Sequence, residues 1–242
     1  MAKTAAKNTI ILINGYNFST YFTSFEGEVN TNPIDVTGFT DGSQNFVPGL
    51  PSAKLAGEVL WDKDAAKTHA VLKSLPTGYV TVIPEGYTLG NETLSLPFMQ
   101  GNYNPQASIS DAIKLGSLNF ESYGNNVGLE LGWVLHHGTI TSTTTGTGFD
   151  DPSGGAVTAT CSGTLHIWDA TATDTYVIKI QHSTTLGSGY ADLITFTANG
   201  TSLTAERVAV ASGTVNRYRR VLATRTGSAG DTFGFTVHFQ HQ

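Results

Sequence analysis

The residues able to do chemistry in this chain are few, and the most concentrated set is cationic. The run Asn216-Arg217-Tyr218-Arg219-Arg220-Val221-Leu222-Ala223-Thr224-Arg225 holds every arginine except Arg207. On a strand, Arg217, Arg219 and Arg225 share one face, and Tyr218, Arg220 and Leu222 share the other. A face of three guanidinium groups has three uses. Its stems can cover apolar surface while its heads pair with acids of the same chain. It can meet acids of a neighbouring subunit, or it can hold an anionic glycan. A grip on nucleic acid is not expected, because the net charge is −6 and three arginines on one strand are a small footprint.

The other candidates are weaker. His136 and His137 are adjacent, so on a strand they point to opposite sides and make a poor chelating pair. His166, His182, His238 and His241 fall on separate segments without metal-ligand spacing. Asp150-Asp151 lies in a Gly/Pro-rich stretch that would suit calcium, but the spacing is not that of an EF-hand, and Asp forms turns by itself. Glu26, Glu28, Asp35 and Glu85 offer carboxylates, and nothing selects two of them as an acid–base pair for glycoside hydrolysis. No nucleophile elbow, P-loop or dinucleotide fingerprint is present. The expectation is a non-enzyme with no catalytic residue, no cofactor and no metal.

Composition fits that expectation. Of 242 residues only 13% are charged, while 27 are Gly. Low charge with abundant Thr, Gly and aromatics suits short strands and tight turns. A lone Cys161 excludes an intrachain disulfide and a multi-Cys zinc site. The basic start Met1–Lys7 lacks an apolar core of signal-peptide length, and no run reaches transmembrane length, so no membrane association is expected. All arginines lie in the second half, whereas residues 1–138 are distinctly acidic.

These residues must be positioned by strands. The pattern predicts a mainly β chain of two units divided near Gly138. Residues 1–138 would form a β-barrel or sandwich with strands at 9–13, 53–61, 79–84 and 127–136. One short helix is expected near residues 62–75, capped by Asp62 and stopped by Pro76, and a second over 110–115. In the strand at 127–136, Val127, Leu129, Leu131, Trp133 and Leu135 form the apolar face. Residues 139–242 would form an all-β sandwich, Ig-like or jelly-roll-like, with strands at 163–168, 175–182, 193–197, 206–210, 216–224 and 232–240. In the last strand, Phe233, Phe235, Val237 and Phe239 would close a core. Gly234, Thr236, His238 and Gln240 would meet solvent or a neighbour. The Thr-rich segment 141–148 reads either as a linker or as an edge strand.

Asp35-Val36-Thr37-Gly38-Phe39, then Pro48-Gly49-Leu50, then an alternating strand from Ala53 to Trp61 make an irregular loop with a Pro-Gly turn leading into a strand. With the preceding Ile10–Tyr21, this order resembles the early region of siphophage major tail proteins, which build the tail tube. The later runs Val177–Ser183, Tyr190–Phe196, Glu206–Val208 and Val215–Val221 resemble the β-rich outer region of tail-tube or minor tail proteins. The resemblance implies a virion structural subunit that forms hexameric rings, stacks them into a DNA-ejection conduit, and is assembled in the host cytoplasm. Implied partners are further copies of the chain, terminator and tape-measure proteins, and DNA in passage through the lumen. The alternative is a capsid decoration or minor tail protein with a sandwich that binds a host glycan. Asp35, Thr37, Phe39, Phe46, Leu50, Arg217, Arg219 and Arg225 are the expected assembly-interface residues. The segment 31–50 is expected to be an arm that orders on assembly.

Overall fold

Thr, Val, Ile and aromatic residues at period two, broken by Gly and Asn, give a chain that is strand almost throughout. The computed structural model describes residues 6–40, 42–124, 128–152, 157–158, 160–170, 173–211, 213–228 and 230–241. The expectations for Met1–Ala5, Val127 and Ser153–Gly155 lie outside them. In chain order the strands begin with β1 (Ile10–Ile13), β2 (Tyr16–Asn17), β3 (Phe22–Asp35) and β4 (Phe46–Leu60). After helix α1 (Thr68–Leu72) come β5 (Thr77–Ile83), β6 (Glu92–Gln100), β7 (Pro105–Ser108), β8 (Asp111–Ser122) and β9 (Glu130–Ile140). The short strands β10 (Thr144–Thr145), β11 (Phe149–Asp150) and β12 (Val157–Thr158) precede β13 (Cys161–Asp169), β14 (Thr175–Ser183) and β15 (Ala191–Thr195). The last are β16 (Thr204–Val210), β17 (Thr214–Val215), β18 (Tyr218–Thr226) and β19 (Phe233–His241).

The fold is mainly β with one short helix. The helix is shorter than residues 62–75. Asp62 does not cap it; its side chain instead accepts from the Asp64 N–H, and Lys67 occupies the cap position without a side-chain bond. The second expected helix is absent, since 111–115 opens β8. Thr144–Thr145 is an edge strand on β18 rather than part of a linker.

Two compact units form, and they interleave in sequence. One comprises Met1–Thr20, Gly78–Ser95 and Glu130–Gln242; the other comprises Tyr21–Thr77 and Leu96–Leu129. A single cut near Gly138 differs from this partition because β1, β5 and the start of β6 pair in the same sheet as the C-terminal strands.

In the first unit, the strands run in the order β16-β13-β19-β9-β6-β5-β1-β2. A second sheet, β10-β18-β14-β15, packs across from β13 and β19. Between them lies an apolar core of Phe233, Phe235, Val237 and Phe239 from β19, Leu165 and Ile167 from β13, Ile178 and Ile180 from β14, and Val221 and Ala223 from β18. Each large side chain buried there contributes roughly 1.5–3 kcal/mol before entropy is subtracted. This is the sandwich the alternation predicts.

The other face of β19 departs from expectation. Thr236, His238 and Gln240 are as buried as the phenylalanines, so β19 is a central strand covered on both sides. The β1–β2 hairpin and β5 provide the cover. Asn14 and Gly15 take φ of 50° and 84° in a two-residue turn between the paired Ile13 and Tyr16. A Cβ on Gly15 would lie 2.5 Å from Thr204 N and closer still to the Ile167 carbonyl, so only glycine lets this turn dock.

Polar groups under that cover are matched to one another. Gly15 N–H donates to His166 Nδ1 (3.4 Å), which places the His166 proton on Nε2 and aims it at Thr81 Oγ1 (2.9 Å). His238 Nε2 lies 2.8 Å from the same oxygen, and Ser95 Oγ lies 3.2 Å away. With Nε2–H on both imidazoles, Thr81 accepts twice and its own proton goes to Ser95. His238 Nδ1 is then a bare lone pair rather than a buried N–H, which is the cheaper arrangement. Further along the same face, Glu130 is only 4% exposed. Its carboxylate receives Arg207 bidentately (2.7 and 2.6 Å), Gln240 Nε2 (2.7 Å) and Ser162 Oγ (2.9 Å). One carboxylate thus joins β9, β19, β13 and β16. The expected apolar face of β9 is correspondingly corrected: Leu131 is 66% exposed and Glu130 points inward. A bulge near Leu135 then changes the side that later residues present.

In the second unit, β3, β4, β8 and β7 pair in that order, and β8 also pairs with Phe98–Gln100 of β6. Its core is smaller. Leu55, Val59, Leu72, Phe98, Leu115, Leu118 and Phe120 are buried, with Phe98 edge-on to Phe120 at 4.9 Å. Gln100 Nε2 donates to the Leu72 carbonyl (3.0 Å) and ties the helix end to β6.

Two outcomes follow from the first unit's interior. Gly15→Ala combines a left-handed backbone with a steric block, so it should cost more than the roughly 0.4–1 kcal/mol of an ordinary Gly/Ala exchange, read as a drop in the urea midpoint. Burial holds His136 and His137 down to about 4 and His238 to about 3, and it lowers His166 well below its ordinary value. Folded values below the unfolded one mean that this stability is fully present above the unfolded pKa near 6.5. It is lost as pH falls toward 4, by roughly 1.4 kcal/mol per pH unit for each histidine. Thermal unfolding from pH 7.5 down to 4.5 should show a steep fall below pH 6; a flat profile would contradict the neutral-imidazole interior.

Candidate assembly surface

The hairpin of β3 and β4 contains every expected residue from the first half of the chain. Its strands pair from Phe22↔Val59 out to Asp35↔Phe46. Among the described residues, 29–40 and 42–50 are all exposed except Gly49. The expected irregular arm is therefore a regular two-stranded ribbon, and β4 starts at Phe46 rather than at Ala53. Pro48-Gly49 is not a turn. The register passes from Thr31↔Pro51 to Pro33↔Pro48, so Gly49 and Leu50 form a bulge inside β4. The bare Cα of Gly49 admits the Asn32 carbonyl at a distance no Cβ would tolerate. Leu50 is thrown outward to 85% exposure.

At the tip, Asp35 and Thr37 are occupied with the loop itself. Thr37 N–H donates to Asp35 Oδ1 (2.9 Å), and the Thr37 hydroxyl bonds to the same oxygen. Asn45 N–H donates to Thr37 Oγ1 (2.9 Å), and Val36 N–H donates to the Asn45 carbonyl (2.9 Å). The Thr37 hydrogen bonds hold the Asp35 carboxyl below its ordinary range. This lattice presents Phe39 fully to solvent, with Val36, Ile34, Phe46, Val47 and Val29 each more than two-fifths exposed. So many solvated apolar side chains on a ribbon without a core make it the candidate interaction surface.

Two further features belong to the same sheet. β3 is 14 residues long, and among the described residues it pairs only with β4, which leaves its other edge open. Register places Ser24 opposite Glu58, Glu26 opposite Ala56 and Asn119, and Glu28 opposite Lys54 and Glu121. These residues share the outer face, with a cleft of about 620 Å³ over Glu26, Lys54, Glu58 and Asn119. That face carries four carboxylates, Glu26, Glu28, Glu58 and Glu121, against Lys54 and Lys114, the latter close to Glu58.

The arginines lie in the first unit and are matched within the chain. Arg219 is fully buried, paired with Asp151 at 2.5 Å and set over the Phe239 ring at 4.5 Å. Arg225 Nε donates to the buried Asp174 (2.7 Å), and its NH1 donates to the Thr141 carbonyl (2.9 Å). Arg217 pairs with Asp150 at the surface (2.5 Å). Of the three uses open to this face, intrachain pairing is the one the geometry displays. Asp150 and Asp151 are thereby the partners of Arg217 and Arg219. Sequence reasoning missed the inward-facing Glu130; its adjacency to Arg207 in space had no local signature. Among the described residues, no group of three or more His, Cys, Asp or Glu is placed to hold a metal.

No protein-family model matches the chain, and no curated protein matches it. Among solved structures, a chain of the virion of a native gene transfer agent particle is 15% identical with a TM-score of 0.42, covering 53% of this chain and 98% of that one. A chain from the tail of an empty gene transfer agent particle, treated with C6 symmetry, is 17% identical with a TM-score of 0.40, covering 51% and 96%. The SPP1 Dit protein, titled a paradigm of the hub adsorption apparatus in phages infecting Gram-positive hosts, is 11% identical with a TM-score of 0.36, covering 97% and 99%.

The two aspartates separate buried from exposed pairing. Asp151→Ala leaves the Arg219 guanidinium uncompensated in the core and should cost about 3–5 kcal/mol in denaturant unfolding. Asp150→Ala should leave the midpoint where it is, because Arg217 remains solvated.

Proposed function

We propose that this chain is a structural subunit of a phage tail, and specifically of the tail tube, that assembles into rings with copies of itself. The observation that carries the reading is the β3–β4 ribbon. It exposes Phe39, Leu50 and several β-branched residues without a core beneath them, and β3 offers an edge of 14 residues with no strand beside it among the described residues. A monomer would have reason to blunt such an edge with lysine, but β3 contains none. Its Pro33 lies near the far end only. Contact between this edge and ribbon and a different patch on the next copy is heterologous, and a heterologous contact builds a ring when the rotation between copies closes on itself. The resemblance of 35–50 to tail-tube sequences agrees with that use.

The outer face of the same sheet supports the conduit role. Glu26, Glu28, Glu58 and Glu121 against Lys54 and Lys114 give a face with an excess of negative charge, whereas a cationic wall would bind DNA through counterion release. Four of the five arginines, Arg217, Arg219, Arg225 and Arg207, are neutralised by Asp150, Asp151, Asp174 and Glu130. Terminator and tape-measure proteins are the further partners this reading names.

Electron microscopy of the concentrated protein tests it. The wild type should form rings that stack into tubes. Phe39→Asp combined with Leu50→Asp should leave the thermal midpoint unchanged, since both side chains are solvated, yet yield only monomers in sedimentation. Removal of residues 32–46 should do the same. A wild type that stays monomeric at every concentration, or a double variant that forms normal tubes, would overturn the reading.

A further inference from the structure

The sheet of the second unit ends in two hairpins that project in opposite directions. Lys54 of β4 lies opposite Glu121 of β8, and Leu60 lies opposite Lys114. The start of β8 is therefore beside the end of β4, and the β7–β8 turn leaves the sheet at that end. The β3–β4 tip leaves it at the other end, past Asp35 and Phe46. At a strand rise of roughly 3.3 Å per residue, β4 alone holds the two tips about 45 Å apart, so they do not meet within one chain.

The β7–β8 tip is apolar where turn chemistry asks for something else. Ser108 pairs with Asp111, so Ile109 and Ser110 form the turn. Two-residue turns favour Asn, Asp and Gly, and a β-branched residue has no advantage there. Burial does not explain Ile109 either, because its whole side chain is solvated and residues 104–113 are all exposed. Ile113, 44% exposed, shares a face with the buried Leu115 and Val59, so it carries the apolar face of the sheet beyond its core. Asp111 holds the turn: its Oδ1 accepts the Ala112 N–H (2.8 Å), and its Oδ2 pairs with Lys114 (2.9 Å). That ion pair cancels the charge next to Ile109, which would otherwise oppose an apolar contact.

The matching surface is the other end of the same sheet, where Phe39 and Val36 of the β3–β4 tip are likewise solvated. Two unlike apolar tips facing opposite ways make a heterologous pair. A copy displaced along the strand direction brings one tip onto the other, and repetition gives an open stack. One such contact buries little area, but every subunit of a ring makes it at once, so the contacts reinforce one another through multivalency. We propose that the β7–β8 tip is the end-to-end contact between rings, with Ile109 and Ile113 of one copy packed on Phe39 and Val36 of a copy in the next ring. This contact rests on the assembly reading and separates stacking from ring closure.

Sedimentation and electron microscopy of the full chain test it. Ile109→Asp, at a solvated position, should leave the thermal midpoint unchanged and yield rings without tubes, and Ile109→Leu should keep the tubes. Ile109→Cys combined with Phe39→Cys should give a ladder of disulfide-linked multimers on mild oxidation, whereas either change alone should not extend beyond dimers; the native Cys161 is buried. A wild type that forms rings but never stacks, normal tubes from Ile109→Asp, loss of the rings themselves in that variant, or no ladder from the double variant would overturn the proposal and leave the assembly reading standing. A wild type that stays monomeric at every concentration would overturn both.

Discussion

One carboxylate with every acceptor position filled governs the first unit. Glu130 receives a bidentate arginine, an amide and a hydroxyl from three neighbouring strands. A buried charge is tolerated only when it is paired and hydrogen-bonded, so the four strands must keep their order and register for this site to exist. The histidine pair on Thr81 imposes the same condition farther along β19. Polar groups inside the sheet thus specify one alignment where apolar packing alone would tolerate several.

The arginine strand follows the same logic. Arg219 lies among Val221, Ala223 and Phe239 because Asp151 is there to neutralise it. Arg225 ties β18 to Asp174 and to the Thr141 carbonyl. What looks in the sequence like a cationic face offered to a partner is a set of internal fastenings.

The second unit contrasts with this self-sufficiency. Its core is small, and its longest hairpin extends past that core with apolar side chains on both faces. A two-stranded ribbon in water is marginal by its own ladder, and the hydrogen-bonded tip around Asp35, Thr37 and Asn45 holds it closed. The first unit buries most of its large apolar side chains, whereas the second leaves those of its ribbon in solvent.

The sequence by itself determined the β class, most strand positions in the second half and the apolar face of β19, because each rests on period-two patterning. The Asn14-Gly15 dipeptide carries a turn signal that the strand expectation at 9–13 leaves unused, and its docking on Ile167 and Thr204 has no local signature at all. Only the tertiary structure decided which strands are covered twice. His238, Gln240 and Glu130 look outward-facing in any one-strand pattern, and they become interior once β1, β5 and β16 arrive from distant parts of the chain. The bulges at Leu135 and Gly49 likewise reassign faces by a single residue, and a one-residue shift leaves no trace in composition. Pairing partners for Arg217, Arg219 and Arg225 were beyond reach for the same reason: charge complementarity is settled by proximity in space, which alternation along one strand does not encode.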